Sequence, residues 1–304
     1  MSKIQTVLGE INAEELGSTL YHEHLAMKPG PEPEFAVSTF DNTEKIIEEL
    51  SFFKNAGGGT FVEMSPFNFG RDVCALAEIS KATGVHVICC TGFHKKRFLP
   101  EWALSANLEE IENILINEIT MGIDGTEIKP GVMKIGTSKE KIFSEEEKMI
   151  AAVSSVHLKT NIPISTHSDK GLMLLEQCEL FEKNQVPPKR VLLGHSDIPN
   201  NVDYLKKLCR RGFNVGIDHV GRDLQNKDQV KIEIIKELIQ EGYIDQIFIA
   251  GDMGKKDYLK VYGGKPGFDY VLTDFKHYFL ESGLGEMQFN QILIENPKRF
   301  FQSS

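Results

Sequence analysis

Two histidines lie two residues apart near the start of the chain, in the stretch 19–25. His22 and His24 are flanked by the apolar residues Leu20 and Leu25, a pattern that indicates a buried strand. Residues i and i+2 of a strand lie on the same face, so both imidazoles point to one side. A zinc-type ion usually has three or four protein ligands. The pair is therefore either part of a metal site that other residues complete, or a strand that carries two histidines without a ligand role.

Four further residues with ionisable side chains end or interrupt apolar runs later in the chain. They are Lys134, His167, His195 and Asp252. Four imidazoles and a carboxylate exceed one tetrahedral site, so two adjacent divalent ions are expected. A cationic Lys134 beside two dications would be strongly disfavoured, so this lysine must lose its proton or be modified. A carbamate formed with CO2 would turn it into a bridging carboxylate.

A regular alternation of strands and helices can bring these residues together. After a short hairpin over 3–16, apolar strands are predicted at 19–25, 60–64, 86–91, 131–135, 162–167, 190–195, 213–217 and 246–250. Amphipathic helices separate them, which indicates a parallel sheet covered on both faces. Eight such units predict an α/β fold, a (β/α)8 TIM barrel with a short N-terminal hairpin, in which catalytic groups lie at the C-terminal ends of the strands. The alternative is an open doubly wound sheet, but no Gly-x-Gly-x-x-Gly turn follows the first strand.

Composition narrows the class of partner. The 304 residues fit one domain, a barrel over 1–304, and the net charge is −10 with no basic tail. This balance argues against nucleic acid and an anionic membrane surface, so a small molecule is the expected partner. The five cysteines form no Cys-x-x-Cys pair, and no apolar leader or membrane span is apparent. A cytoplasmic location is expected.

Short motifs along nearly the whole chain resemble the phosphotriesterase family of the amidohydrolase superfamily. They are the segments 21–24, 70–72, 82–85, 91–93, 134–138, 165–167, 194–195, 251–252 and 296–300. The resemblance implies that His22, His24 and Asp252 bind the more buried ion. It further implies that His167 and His195 bind the more exposed ion and that carboxylated Lys134 bridges the two. Zinc is the expected metal, with manganese or cobalt as alternatives, and a homodimer is the expected assembly.

Two loops resemble a particular branch of this family. Residues 253–264 and 92–96 are similar to phosphotriesterase-like lactonases, especially those acting on phosphorylated sugar lactones such as a pentonolactone phosphate. These lactonases place a basic residue three positions and a tyrosine six positions after the metal-binding aspartate, and Lys255 and Tyr258 match those places. Arg222, Lys227 and His94 are further candidates for contact with an anionic lactone.

The expected reaction is hydrolysis of a lactone by a hydroxide that bridges the two ions. The metals lower the pKa of the bound water, and Asp252 takes its proton and hands it to the leaving alkoxide. Phosphotriester (organophosphate) hydrolysis, acyl-homoserine lactone hydrolysis and cyclic amide hydrolysis of the dihydroorotase kind are the alternative reactions. A non-enzymatic metal-binding protein is the alternative of another class.

The remaining histidines and glutamates near these strands are not predicted to bind metal. His86, His157 and His277 are expected in packing or surface roles, and Glu23 in a structural one because it points away from its two neighbours. Glu63 supports a ligand or forms a salt bridge, and His219 contacts substrate or shapes its loop.

Overall fold

Ten strands form two sheets in the computed structural model, which describes residues 2–29, 33–222 and 227–303. An antiparallel hairpin comprises β1 (Lys3–Thr6) and β2 (Gly9–Asn12). The other eight strands are β3 (Ser18–Glu23), β4 (Gly58–Glu63), β5 (His86–Gly92), β6 (Val132–Thr137), β7 (Ile164–Ser168), β8 (Val191–Leu193), β9 (Asn214–Ile217) and β10 (Ile247–Ile249). Each pairs in parallel with the next, in the order β10-β9-β8-β7-β6-β5-β4-β3. The predicted (β/α)8 barrel with an N-terminal hairpin is confirmed.

Helices follow the barrel strands along the chain. They are α1 (Thr43–Asn55), α2 (Val73–Thr83), α3 (Glu101–Ser105), α4 (Leu108–Thr120), α5 (Ser144–Thr160), α6 (Leu174–Lys183), α7 (Val202–Arg210), α8 (Asp228–Gln240), α9 (Asp274–Glu281), α10 (Glu286–Asn290) and α11 (Asn296–Phe301). A π-helical turn, Gln291–Glu295, joins the last two. Among the described residues, we find no helix whose length and apolar character would let it cross a membrane.

Successive residues of one strand belong to different layers of the core. On β4, Phe61 packs outward against Phe53 of α1, with ring centroids 4.9 Å apart, whereas Val62 belongs to the cluster inside the barrel. Both faces of the strand are thus buried, which is why the strands read as apolar runs without alternation.

The hairpin lies at the N-terminal end of the barrel. Val7 donates its amide to the carbonyl of Val87 near the start of β5. Ile4 joins the interior cluster together with Phe300 and Phe301 of α11. This packing covers the bottom of the barrel and leaves the C-terminal ends of the strands at the opposite, open end.

The sixth and eighth barrel strands are shorter than predicted. β8 ends at Leu193, two residues before His195, and β10 ends at Ile249, three residues before Asp252. His195 and Asp252 have positive φ angles of 61° and 49°, as does His219 with 58°. Such left-handed backbone is uncommon outside glycine and often marks functional sites. It turns these side chains back over the barrel mouth.

Candidate metal centre

The two histidines of the first barrel strand face one carboxylate. Nε2 of His24 lies 3.3 Å and Nε2 of His22 lies 3.9 Å from Oδ1 of Asp252. The other ring nitrogen of His24, Nδ1, lies 2.9 Å from Oγ of Ser65 and 3.4 Å from Oε1 of Glu63. A metal-binding histidine usually has its second nitrogen held in this way. His22, His24 and Asp252 thus form a group whose ligand atoms are close enough to share one ion.

A second pair of histidines, His167 and His195, lies beside the first pair. Nδ1 of His167 at the end of β7 lies 2.8 Å from Nε2 of His195. Burial and then the neighbouring His94 hold the pKa of His167 well below its usual range, so its ring is neutral at pH 7. Two imidazole nitrogens this close together are part of the donor set of a borderline-soft dication such as zinc.

Lys134 lies between the histidines and the second barrel strand. Its side chain is 2% exposed, and Nζ lies 2.7 Å from the carbonyl oxygen of Met64 and 3.3 Å from Nε2 of His22. No carboxylate of the described residues forms an ion pair with it. Burial lowers the pKa of the amine. The neutral amine is the form of lysine that reacts with CO2. Nζ also lies next to His22, a candidate ligand of the more buried ion.

Two residues that follow the seventh barrel strand also contact Asp252. Its Oδ2 lies 3.0 Å from Nε2 of His219 and accepts a hydrogen bond of 2.8 Å from Arg222. Burial opposes ionisation, but the contacts with His219 and His24 and the charge of Arg222 hold the pKa of Asp252 well below its usual range. The carboxylate is therefore ionised, as a metal ligand must be. His219, left between two roles by the sequence, contacts this carboxylate.

Sequence analysis missed Asp218, which lies behind both groups of histidines. Its Oδ2 accepts hydrogen bonds of 2.6 Å from the amide of His195 and from the hydroxyl of Tyr21. Nδ1 of His195 lies 3.0 Å from this carboxylate and Nδ1 of His22 lies 4.0 Å from it. Asp218 directly follows the apolar seventh strand, at the same level as the other polar residues. That position is the signal that could have identified it.

The buried carboxylates of the first two barrel strands hold backbone amides. Glu63 accepts hydrogen bonds from the amides of Leu25 and Ser65, in addition to its contact with the candidate ligand His24. Glu23 contacts the loop after β10 and does not face the ring nitrogens of His22 and His24.

A cavity of about 170 Å³ opens above these groups. Four of the five expected substrate contacts line it, namely His94, Arg222, Lys255 and Tyr258. The guanidinium carbon of Arg222 lies 4.7 Å from the ring centroid of Tyr258, and Lys255 is exposed at the rim. Lys227 lies elsewhere: it is exposed and lines a separate cavity with Asp228 and Tyr270.

The other histidines lie away from this cluster. His86 is the first residue of β5, at the N-terminal end of the barrel, and His157 is buried within α5. His277 on α9 forms an exposed ion pair with Glu281. None of the three lines the cavity, in agreement with their expected packing and surface roles.

Comparison with known proteins places this geometry among related enzymes. The model of the phosphotriesterase family matches residues 2–301. The phosphotriesterase homology protein of Escherichia coli is 33% identical over 94% of this chain and 98% of its own. A crystal structure of that protein complexed with phosphate in the active site has a TM-score of 0.91 at 32% identity and covers 95% of this chain and 99% of the other.

Two further relatives differ in the activity that their names state. An aryldialkylphosphatase of Saccharolobus solfataricus is 29% identical over 96% of each chain. The crystal structure of a lactonase from Listeria monocytogenes has a TM-score of 0.95 at 30% identity and covers 98% of each chain.

Proposed function

Because this chain belongs to the phosphotriesterase family, and is on that ground a hydrolase, we propose that it opens the ring of a phosphorylated sugar lactone, such as a pentonolactone phosphate. Its similarity to a lactonase and to a protein crystallised with phosphate in the active site supports this choice. The small cavity of about 170 Å³ also favours a compact substrate over a lactone with a long acyl chain.

The proposed centre holds two divalent ions, with zinc expected and manganese or cobalt as alternatives. His22, His24 and Asp252 would hold one ion, and His167 and His195 the other. Carboxylated Lys134 would bridge them. When bound, such ions make water a nucleophile at neutral pH and polarise a carbonyl oxygen.

The protein's own residues supply the proton transfers. Asp252 is ionised and lies at the floor of the cavity, so it can take a proton from the attacking water and return it to the leaving alkoxide. His219 contacts Oδ2 of the same carboxylate, which keeps Asp252 oriented. Arg222 contacts that oxygen too, and its charge favours the ionised form.

The observation that carries the proposal is the position of Lys255. Its ammonium group lies at the rim of the same cavity as the histidines, and no carboxylate of the described residues pairs with it. Arg222 and Tyr258 line the same wall. A phosphate is an acceptor for all three side chains, and each charge-assisted hydrogen bond contributes roughly 1.5–3 kcal/mol.

A panel of substrates tests this function. A phosphorylated sugar lactone, its unphosphorylated form, an acyl-homoserine lactone, a paraoxon-like triester and a cyclic amide would be compared by a pH indicator. We expect the highest kcat/KM on the phosphorylated lactone. A preference for the triester would instead support the second candidate function, phosphotriester hydrolysis, which the similarity to an aryldialkylphosphatase favours.

A further inference from the structure

The barrel closes between β3 and β10 without a backbone ladder among the described residues. Instead, three consecutive amides of the loop after β10 donate hydrogen bonds to β3. The amide of Gly251 donates to Oε1 of Glu23 over 2.6 Å, and the amide of Met253 donates to Oε2 over 2.8 Å. Between them, the amide of Asp252 donates to the carbonyl of His22 over 3.1 Å. The side chain of Glu23 thus accepts two of the three hydrogen bonds that join the two strands here.

The residue enclosed by these hydrogen bonds is the proposed metal ligand Asp252. Its φ of 49° lies in the left-handed region, which is unfavourable for a residue with a Cβ atom. Such a conformation persists only where the surroundings hold it. The amides of the residues before and after Asp252 are held by the two oxygens of Glu23, and its own amide is held by the carbonyl of His22. Glu23 therefore holds the backbone on either side of Asp252, together with the carbonyl of His22.

Among the described residues, no ion pair with Lys or Arg explains why Glu23 is buried. The side chain is 0% exposed, and neither Lys nor Arg pairs with it among the described residues. A buried carboxylate is costly unless hydrogen bonds satisfy it, and the amides of Gly251 and Met253 offset part of that cost. A Cβ atom at Gly251 would lie 2.7 Å from Cε of Met253 and 3.0 Å from Oε1 of Glu23, so it would crowd this contact.

We infer that Glu23 is a positioning residue: it holds the carboxylate of Asp252 at the distance from His22 and His24 that one ion requires. This inference rests on the proposed metal centre. It gives the residue between the two histidines a role in metal binding although its own side chain does not face the cavity. The ion at His167 and His195 does not depend on it.

Glu23→Gln tests the inference through metal content. The glutamine side chain keeps the size of glutamate but presents an NH2 group to one of the two amides, so one hydrogen bond is lost and a repulsive contact replaces it. Partners of this kind typically change metal affinity by 10- to 100-fold. We expect the affinity for one ion to fall by that factor while the other ion stays. In the presence of a competing chelator, the metal content of Glu23→Gln should drop from about two ions per chain to about one.

Glu49→Gln is the matched control. Glu49 of α1 is also 0% exposed, and its oxygens also accept two backbone amides, those of Val261 and Phe268. It contacts none of the proposed ligands. We expect Glu49→Gln to lower the melting temperature by about as much as Glu23→Gln but to keep both ions. Wild-type metal affinity in Glu23→Gln, or an equal loss of metal in both variants, would overturn the inference.

Two further measurements decide the matter if Glu23→Gln is too unstable to purify. Glu23→Asp keeps the charge but is shorter by one methylene group, so we expect a weaker loss of the same ion. In the metal-free wild type, the amides 251 and 253 should exchange with deuterium as slowly as strand amides. Free exchange that slows only when metal is added would show that metal, and not Glu23, orders the loop. A wild type that binds no ions refutes the proposed function itself, whereas two ions in every variant refute only the inference.

Discussion

Nζ of Lys134 lies 3.3 Å from Nε2 of His22, and both side chains are buried at the floor of the cavity. A buried lysine so close to a histidine that can bind metal cannot remain charged once a dication is present. Its amine must therefore be neutral or converted to an anion, and this requirement leads to the first prediction.

Lys134→Ala should lose most of the hydrolytic activity and part of the two divalent ions expected per chain. Adding a short carboxylic acid should restore some activity, because its carboxylate can occupy the place of the carbamate. Metal analysis and rates with and without acetate measure both effects. Full metal content and an unchanged rate in Lys134→Ala would show that the bridging role is wrong.

Lys255→Ala should lower kcat/KM on a phosphorylated lactone by about 10- to 100-fold, because one charge-assisted contact is lost. The unphosphorylated lactone never uses that contact, so its rate should stay nearly constant. Lys256→Ala is the control, since Lys256 is the next residue but does not line the cavity. Equal losses on both lactones would contradict a phosphate site at Lys255.

Arg71→Met should lower the free energy of unfolding by about 3–5 kcal/mol. The Arg71 guanidinium donates two hydrogen bonds of 2.8 and 3.0 Å to the buried Glu118, which the substitution leaves as an unpaired charge. Arg211→Met is the control, because Arg211 and Glu182 form a similar two-bond pair near the surface. That change should cost less than about 1 kcal/mol in urea unfolding. Similar losses in the two variants would refute the argument from burial.

His157→Gln should reduce the acid sensitivity of the metal-free protein. Burial lowers the pKa of His157, although its ring donates a hydrogen bond of 2.7 Å to the carbonyl of Ile162. The unfolded chain, with a histidine pKa near about 6.5, binds this proton more readily than the folded one. Stability is therefore complete above that pH and falls as pH drops from there towards the folded pKa.

Urea unfolding of both proteins between pH 7.5 and 5.5 measures this effect. The stability gap between wild type and His157→Gln should be largest at pH 7.5 and narrow as the pH falls. A gap that is constant over this range would mean that the folded and unfolded pKa values of His157 are equal.

The alternation of apolar runs and amphipathic helices was enough to predict the barrel. In a parallel barrel both faces of every strand are buried, so an imidazole or carboxylate in a strand has few places to go except the open end. That is why His22, His167 and Asp252 could be selected by their positions alone. Strand limits were less exact, because β8 and β10 end where the backbone turns to positive φ, and apolar composition does not reveal that turn.

Spacing could not distinguish residues that share a loop region but not a cavity. Arg222 and Lys227 are five residues apart, yet only Arg222 lines the cavity with Lys255. The direction of each side chain depends on how α8 packs and on where it begins. A local sequence pattern does not contain this information.

The contacts that support the proposed ligands were decided by tertiary structure alone. Glu23 and Gly251 are 228 positions apart, and Tyr21 and Asp218 are 197 apart. Glu23 and Gly251 meet because the barrel closes and brings its first and last strands side by side. Tyr21 belongs to the interior cluster and reaches Asp218, after the seventh barrel strand, across the inside of the barrel. A sequence pattern records which face of a strand a residue occupies, since that follows from local geometry. Which distant amide a buried carboxylate accepts depends on the register of closure, and only the folded chain determines that register.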